Sequence, residues 1–211
     1  MDLALFDFDG TITDREMFVP FLAHAVERRR FALGKLVLGP LALGYKAGFV
    51  SGDTIRAAAV RVGLTGVAVG HVQEAGESFA SDVLPGVIRP VALERIRWHQ
   101  ERGDEVAVVT GALELAVGPW GRAHGLHVIG SVLAEIDGYF TGRYAGAQCL
   151  REEKVRRVCQ RYELASYGAV HVYGDTPDDF ALLGLADHGT YRWREFLPQQ
   201  AAAAPALQES T

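Results

Sequence analysis

Cysteine is scarce in this chain of 211 residues. Cys149 and Cys159 are too few for a disulfide framework and lack the paired spacing of a zinc site. That usage fits reduced thiols in the cytoplasm. None of the seven histidines has metal-ligand spacing either. Positive charge is in deficit: 21 Lys and Arg against 26 Asp and Glu leave a net charge of −5, which argues against a nucleic-acid partner. The densest basic run, Arg28-Arg29-Arg30, is expected to cap the end of a helix, where the macrodipole favours cations. No basic-plus-apolar leader precedes the first apolar run, so no signal peptide is expected. The apolar stretch 31–50 is broken by Lys35, Pro40, Lys46 and four glycines; it is a poor membrane span, though it could lie at a membrane surface. No internal repeat is present. The remainder, 49% hydrophobic and 22% charged, is an ordinary globular composition, long enough for one large domain or a core with a smaller insertion.

Against that background one segment stands out, Leu3-Ala4-Leu5-Phe6-Asp7-Phe8-Asp9-Gly10-Thr11. Its apolar start reads as a buried strand of a parallel sheet. Alternation is expected to send Asp7 and Asp9 to the same side near the strand's carboxyl end. Two carboxylates held together in a dry setting repel, and Mg²⁺, which takes oxygen ligands, would relieve that repulsion. The alternative is a pair of strand-end aspartates that simply meet solvent.

Five short apolar runs, at 2–8, 105–109, 127–131, 169–173 and 188–191, alternate with helical patterns, the rhythm of a doubly wound α/β fold. Helices are expected over 89–100, 113–124 and 152–162. Asp137-Gly138 between two alternating runs predicts a β-hairpin. The gap between the first two strands is too long for one crossover. Residues 15–85, with helical spacing, read as an inserted helical cap. The core domain then comprises 1–14 and 86–198, and 199–211 is expected to be disordered.

Three further segments fall where such a sheet places its ligands, outside the strands' carboxyl ends. Thr110-Gly111-Ala112 ends the second strand; the hydroxyl could donate to a phosphoryl oxygen or cap the next helix. Lys154 sits in the first turn of a helix, where the dipole disfavours a cation, so a compensating anion is expected. In Gly174-Asp175-Thr176-Pro177-Asp178-Asp179, an ordinary helix start accounts for Asp178 and Asp179. It leaves Asp175 unexplained; with Asp7 and Asp9 it would complete an acidic pocket for Mg²⁺.

Together these segments resemble the haloacid dehalogenase-like hydrolase superfamily. Asp7-Phe8-Asp9-Gly10-Thr11 matches its first motif, Thr110 the second, Lys154 the third, and Gly174-Asp175 with Asp179 the fourth. The insertion after the first motif resembles the C1-capped subclass. The cap position, the hairpin and Thr141-Gly142-Arg143 resemble subfamily IB, the relatives of phosphoserine phosphatase. The resemblance implies a Mg²⁺-dependent phosphatase acting on a small phosphate ester, with Asp7 as nucleophile and Asp9 as general acid and base. It implies metal ligation by Asp7, the Asp9 carbonyl and Asp175, supported by Asp179, and phosphoryl contacts from Thr110, Gly111 and Lys154. By the same resemblance, Glu16 and Arg56 would hold a substrate ammonium and carboxylate; otherwise they are a helix-start acid and a solvated arginine.

Other readings stay open. They are a phosphotransferase, a phosphatase of phospholipid head groups, a receiver-like phosphoacceptor, and a scaffold that binds through the cap. The aliphatic stretch 33–45 reads first as buried cap core. A homodimer surface and a greasy substrate or lipid contact are its alternatives. Trp98, Trp120 and Trp193 read as packing residues.

Overall fold

A computed structural model describes residues 1–196. The expected tail, 199–211, lies outside the described residues. The chain runs through β1 (Leu3–Phe6), α1 (Phe18–Ala25), α2 (Arg28–Lys46), α3 (Gly52–Leu64), α4 (Val69–Asp82) and α5 (Pro90–Glu101). It continues through β2 (Glu105–Leu113), α6 (Glu114–Ala123), β3 (His127–Ser131), β4 (Leu133–Ile136) and β5 (Tyr139–Tyr144). It ends with α7 (Glu152–Arg161), β6 (Val170–Gly174), α8 (Phe180–Leu183), β7 (His188–Tyr191) and β8 (Arg194–Phe196). Six strands form one sheet in the order β3-β2-β1-β6-β7-β8. All pairings are parallel except β7 with β8. β1 therefore lies inside the sheet, with β2 on one side and β6 on the other.

Alternation along β1 decides what covers each face. Ala4 and Phe6 join a core with Ala92 and Ile96 of α5 and Trp120 of α6. Leu3 and Leu5 join the opposite core with Val158 of α7 and Leu182 of α8. With helices on both faces, the sheet is doubly wound, as the strand–helix rhythm predicts. Asp137 and Gly138 take φ of 51° and 79°, the left-handed pair of a type I′ turn between β4 and β5.

Several expectations need correction. β1 stops at Phe6 rather than at residue 8, because residues 8–12 wind into a tight turn around Gly10 at φ 82°. Asp9 belongs to that turn, so strand alternation does not place it beside Asp7. β2 runs on to Leu113, which puts Thr110 inside the strand and excludes it as a helix cap. Arg28–Arg30 open α2 instead of ending a helix. Arg30 nevertheless caps a neighbour, donating to the carbonyls of Val62 at 2.9 Å and Thr65 at 2.6 Å at the C-terminal end of α3. The aliphatic stretch of α2 is not buried core, since Leu33, Leu36, Val37 and Leu43 face solvent. β8, too short to give a periodic signal, has no counterpart in the sequence expectation.

Between β1 and α5 the chain leaves the sheet and returns through two crossings that are hydrogen-bonded to each other. Asp14 N–H donates to Val87 O and Arg89 N–H to Ile12 O, both at 2.8 Å. The hairpin meets the α3–α4 connection through Gly66 N–H to Phe140 O and Phe140 N–H to Val67 O. Helices α1 to α4 thus sit beside the carboxyl ends of β1 and β2. Among the described residues no helix is long and apolar enough to cross a membrane.

Candidate active site

Asp7 follows β1 directly and is buried. Its Oδ1 accepts a hydrogen bond from Lys154 Nζ at 2.5 Å. The same ammonium donates to Asp179 Oδ1 at 2.6 Å. Lys154 reaches both acids from the first turn of α7, so the anion its position demands is a pair of carboxylates. Burial alone would push the ammonium pKa down; Asp7 and Asp179 outweigh it and hold the charge in place.

Asp179 does more than begin a helix. Its Oδ2 accepts from the backbone N–H groups of Asp175 at 3.1 Å and Thr176 at 3.0 Å, and from the Thr176 hydroxyl at 3.1 Å. This fixes the loop after β6 and turns Asp175 toward the cleft. There Thr11 Oγ1 donates to Asp175 Oδ1 at 3.1 Å. Gly10 permits this approach: a Cβ at residue 10 would overlap the Asp175 carboxylate, and its φ lies in the left-handed region.

One carboxylate oxygen from each of Asp7, Asp175 and Asp179 lies within 4.8 Å of the other two. Burial, with Asp179's charge added, pushes the Asp7 carboxyl well up from its usual value, opposed by Lys154. Burial and Asp179 also push Asp175 up. Lys154 is a single cation shared by Asp7 and Asp179, so the cluster is short of positive charge. All three donors are hard oxygens, and the set fits a Mg²⁺ ion.

Asp9 stands apart from this cluster. Its Oδ1 accepts from Met17 N–H at 2.9 Å. Burial raises its pKa to about 7 despite that hydrogen bond, which suits a group that must both give and take a proton near neutrality.

The acids open into a cleft of about 530 Å³. Thr110 lines it, with Oγ1 accepting from Ala112 N–H at 3.0 Å, which leaves the hydroxyl proton to donate. Gly111 also lines it, and a Cβ there would press on Leu150 and approach Arg56 Nη1 to 3.1 Å. Glu16, in the loop before α1, and Arg56 of α3 meet at the mouth through a 2.6 Å ion pair. Every sequence-predicted site residue except Asp179 lines this one cleft. Asp179 lies behind it, fully buried.

Other residues were missed. Arg89 Nε donates to the carbonyls of Gly10 at 3.1 Å and Thr13 at 3.0 Å, bracing the turn that holds Asp9. Ser131 Oγ donates to Gly111 O at 2.9 Å and accepts from Cys149 N–H at 3.0 Å, tying the second motif to the approach to α7. Arg151 pairs with Asp178 at 2.9 Å and with Asp53 of α3 at 3.0 Å. Only Arg151 could have been flagged locally, as a basic residue at the N-cap of a helix, where a cation is disfavoured.

A doubly wound sheet with this acid–lysine cluster at its carboxyl edge is the architecture of the haloacid dehalogenase-like hydrolases. The chain belongs to that family, whose model matches residues 4–184. It is 33% identical over 192 residues to protein CicA of Caulobacter vibrioides, covering 90% of this chain and 85% of CicA. It is 34% identical over 116 residues to a histidinol-phosphatase of Neisseria meningitidis serogroup C, covering 52% of each chain. Its fold resembles a substrate-bound phosphoserine phosphatase with a TM-score of 0.65 at 20% identity, covering 90% of this chain and 85% of that one.

Proposed function

We propose that the protein is a Mg²⁺-dependent phosphatase that hydrolyses a small phosphomonoester through a phosphoryl group carried on Asp7. The observation that carries this reading is the convergence of Asp7, Asp175 and Asp179 within 4.8 Å, with Lys154 bonded to two of them. Asp7, the Asp9 carbonyl and Asp175, backed by Asp179, would hold the ion. Bound there, it would supply charge neutralisation for the phosphoryl oxygens.

The chain's own groups account for the remaining steps. Lys154 holds Oδ1 of Asp7, so Oδ2 is the oxygen left to attack phosphorus. As that bond forms, the bond from phosphorus to the ester oxygen breaks, and Asp9 gives its proton to the departing alkoxide. Asp9 then takes a proton from the attacking water, which releases inorganic phosphate and restores Asp7. The Thr110 hydroxyl and Lys154 hold phosphoryl oxygens throughout. Residues 15–85 act as a cap: Glu16, Tyr45 and Arg56 from this region line the cleft.

The Glu16–Arg56 pair favours a substrate carrying an amine, with or without a carboxylate. The histidinol-phosphatase relative supports the amine, and the phosphoserine phosphatase fold supports both groups. Hydrolysis of an aryl phosphate, with Mg²⁺ and with chelator, tests the chemistry in wild type and Asp7→Asn. Turnover should vanish on chelation and fall by at least about 10³-fold on substitution; turnover surviving either one would refute the reading. For the substrate, KM is compared among phosphoserine, histidinol phosphate and an aryl phosphate. Arg56→Ala should raise KM about tenfold to hundredfold for phosphoserine only, and an equal effect on all three would reject the assignment.

A further inference from the structure

Helix α2 departs in composition from the rest of the chain. Residues 28–46 carry Arg28, Arg29, Arg30, Lys35 and Lys46 and no Asp or Glu, in a protein whose net charge is −5. Leu33, Leu36, Pro40 and Leu43 recur three and four apart, which places them along one face. That face is turned to solvent: Leu36 is 76% exposed, Leu43 69%, and Phe49, just past the helix, 89%. Val37 is exposed beside them. The opposite face, with Phe31, Gly34, Leu38 and Ala42, looks toward α1 and α3 across an apolar cavity of about 510 Å³. Several large apolar side chains on one exposed helix face form a patch beyond the ordinary scatter of surface hydrophobics.

We propose that α2 docks the protein on an anionic lipid surface. Leu33, Leu36, Val37, Leu43 and Phe49 would face the acyl region, and Arg28, Arg29, Lys35 and Lys46 the head-group phosphates. No helix of the described chain can cross a membrane, but an apolar stripe flanked by cations lies in the interface plane. Charge selects this occupant. A second copy packed face to face would set these four cations against four, whereas an anionic bilayer neutralises them. Arg30 is left out because its guanidinium is committed to α3. Tyr45 in the last turn lines the catalytic cleft, so the C-terminal end of α2 reaches the cleft mouth while its docking face points elsewhere. The proposal does not depend on the phosphatase reading.

Co-sedimentation of the full chain with vesicles tests it. The chain should partition onto vesicles containing phosphatidylglycerol and not onto pure phosphatidylcholine, with binding lost in high salt. Arg28→Ala and Arg29→Ala should each weaken binding about fivefold. Leu36→Glu with Leu43→Glu should weaken it by more than about tenfold, with the circular dichroism spectrum and thermal midpoint unchanged. Any of three results would overturn the proposal: no partitioning onto anionic vesicles, partitioning indifferent to both sets of substitutions, or a solution dimer that Leu36→Glu dissolves.

Discussion

Asp7 and Asp9 are two residues apart, yet the turn around Gly10 directs their carboxylates to different partners, Lys154 and the Met17 N–H. In the proposed mechanism that separation divides the labour between a nucleophile held by a cation and an acid whose burial lifts it to about 7. Replacing Asp9 by Asn should therefore cost about 10²- to 10⁴-fold in kcat on an alkyl phosphate, whose leaving oxygen needs a proton. The loss should be far smaller on nitrophenyl phosphate, whose leaving group departs as a stable anion. Parallel kinetics on the two substrates check this, and equal losses would remove Asp9 from the proton-transfer role. At this scale the sequence was informative wherever chemistry needs a fixed residue type. Asp7, Asp9, Thr110, Lys154 and Asp175 could be singled out before any fold was known, and the structure gathers them in one cleft. Asp179 was harder to read because a helix-start acid and a lysine-anchoring acid look alike along the chain. Arg89 and Ser131 gave no local signal, since their partners are backbone carbonyls and amides brought in by folding.

Elements were legible where the pattern of core contact is regular, on one face of a helix or on both faces of a strand. Helices α5, α6 and α7 show their period because one side is consistently apolar, and the strands flanking β1, covered on both faces, show as unbroken apolar runs. Helix α2 misled because its aliphatic content suggested burial, whereas its apolar face looks outward. The end of β1 was overextended because Phe8 continues the apolar run through a turn that only the positive φ of Gly10 permits. The return from α5 to β2 carries a different device. The Asp104 side chain is 2% exposed; the His99 ring at 2.9 Å, the Asp2 N–H and Arg102 outweigh that desolvation and hold its carboxyl down to about 2. A carboxyl depressed in the folded state contributes stability above its ordinary value of 3.8 and loses it as pH falls through about 2. Chemical denaturation across that window should show falling stability in wild type and a flatter profile in Asp104→Asn. Identical profiles would mean the pairing contributes nothing.

Over the whole molecule, the doubly wound sheet gathers acids from opposite ends of the chain into one group, buried at Asp7 and Asp179 and half-buried at Asp175. Asp7 and Asp175 are both pushed up by that burial. A carboxyl raised in the folded state binds protons more tightly folded than unfolded, so its contribution to stability declines as pH rises above its ordinary value. A cation binds only the ionised acids and the folded chain, so it should offset that decline. Saturating Mg²⁺ should therefore raise Tm more at pH 8 than at pH 5.5, and Asp175→Asn should diminish the difference. A shift that is equal at both pH values, or absent, would place the ion elsewhere.

The claim on which the account turns is that Asp7 itself becomes phosphorylated. Acid-quenching the Mg²⁺-loaded enzyme during turnover and mapping the modified peptide by tandem mass spectrometry tests it directly. The account predicts an acyl phosphate on Asp7 that forms before steady state and is absent in Asp7→Asn. Sustained release of inorganic phosphate with Asp7 unmodified at every quench time would contradict it.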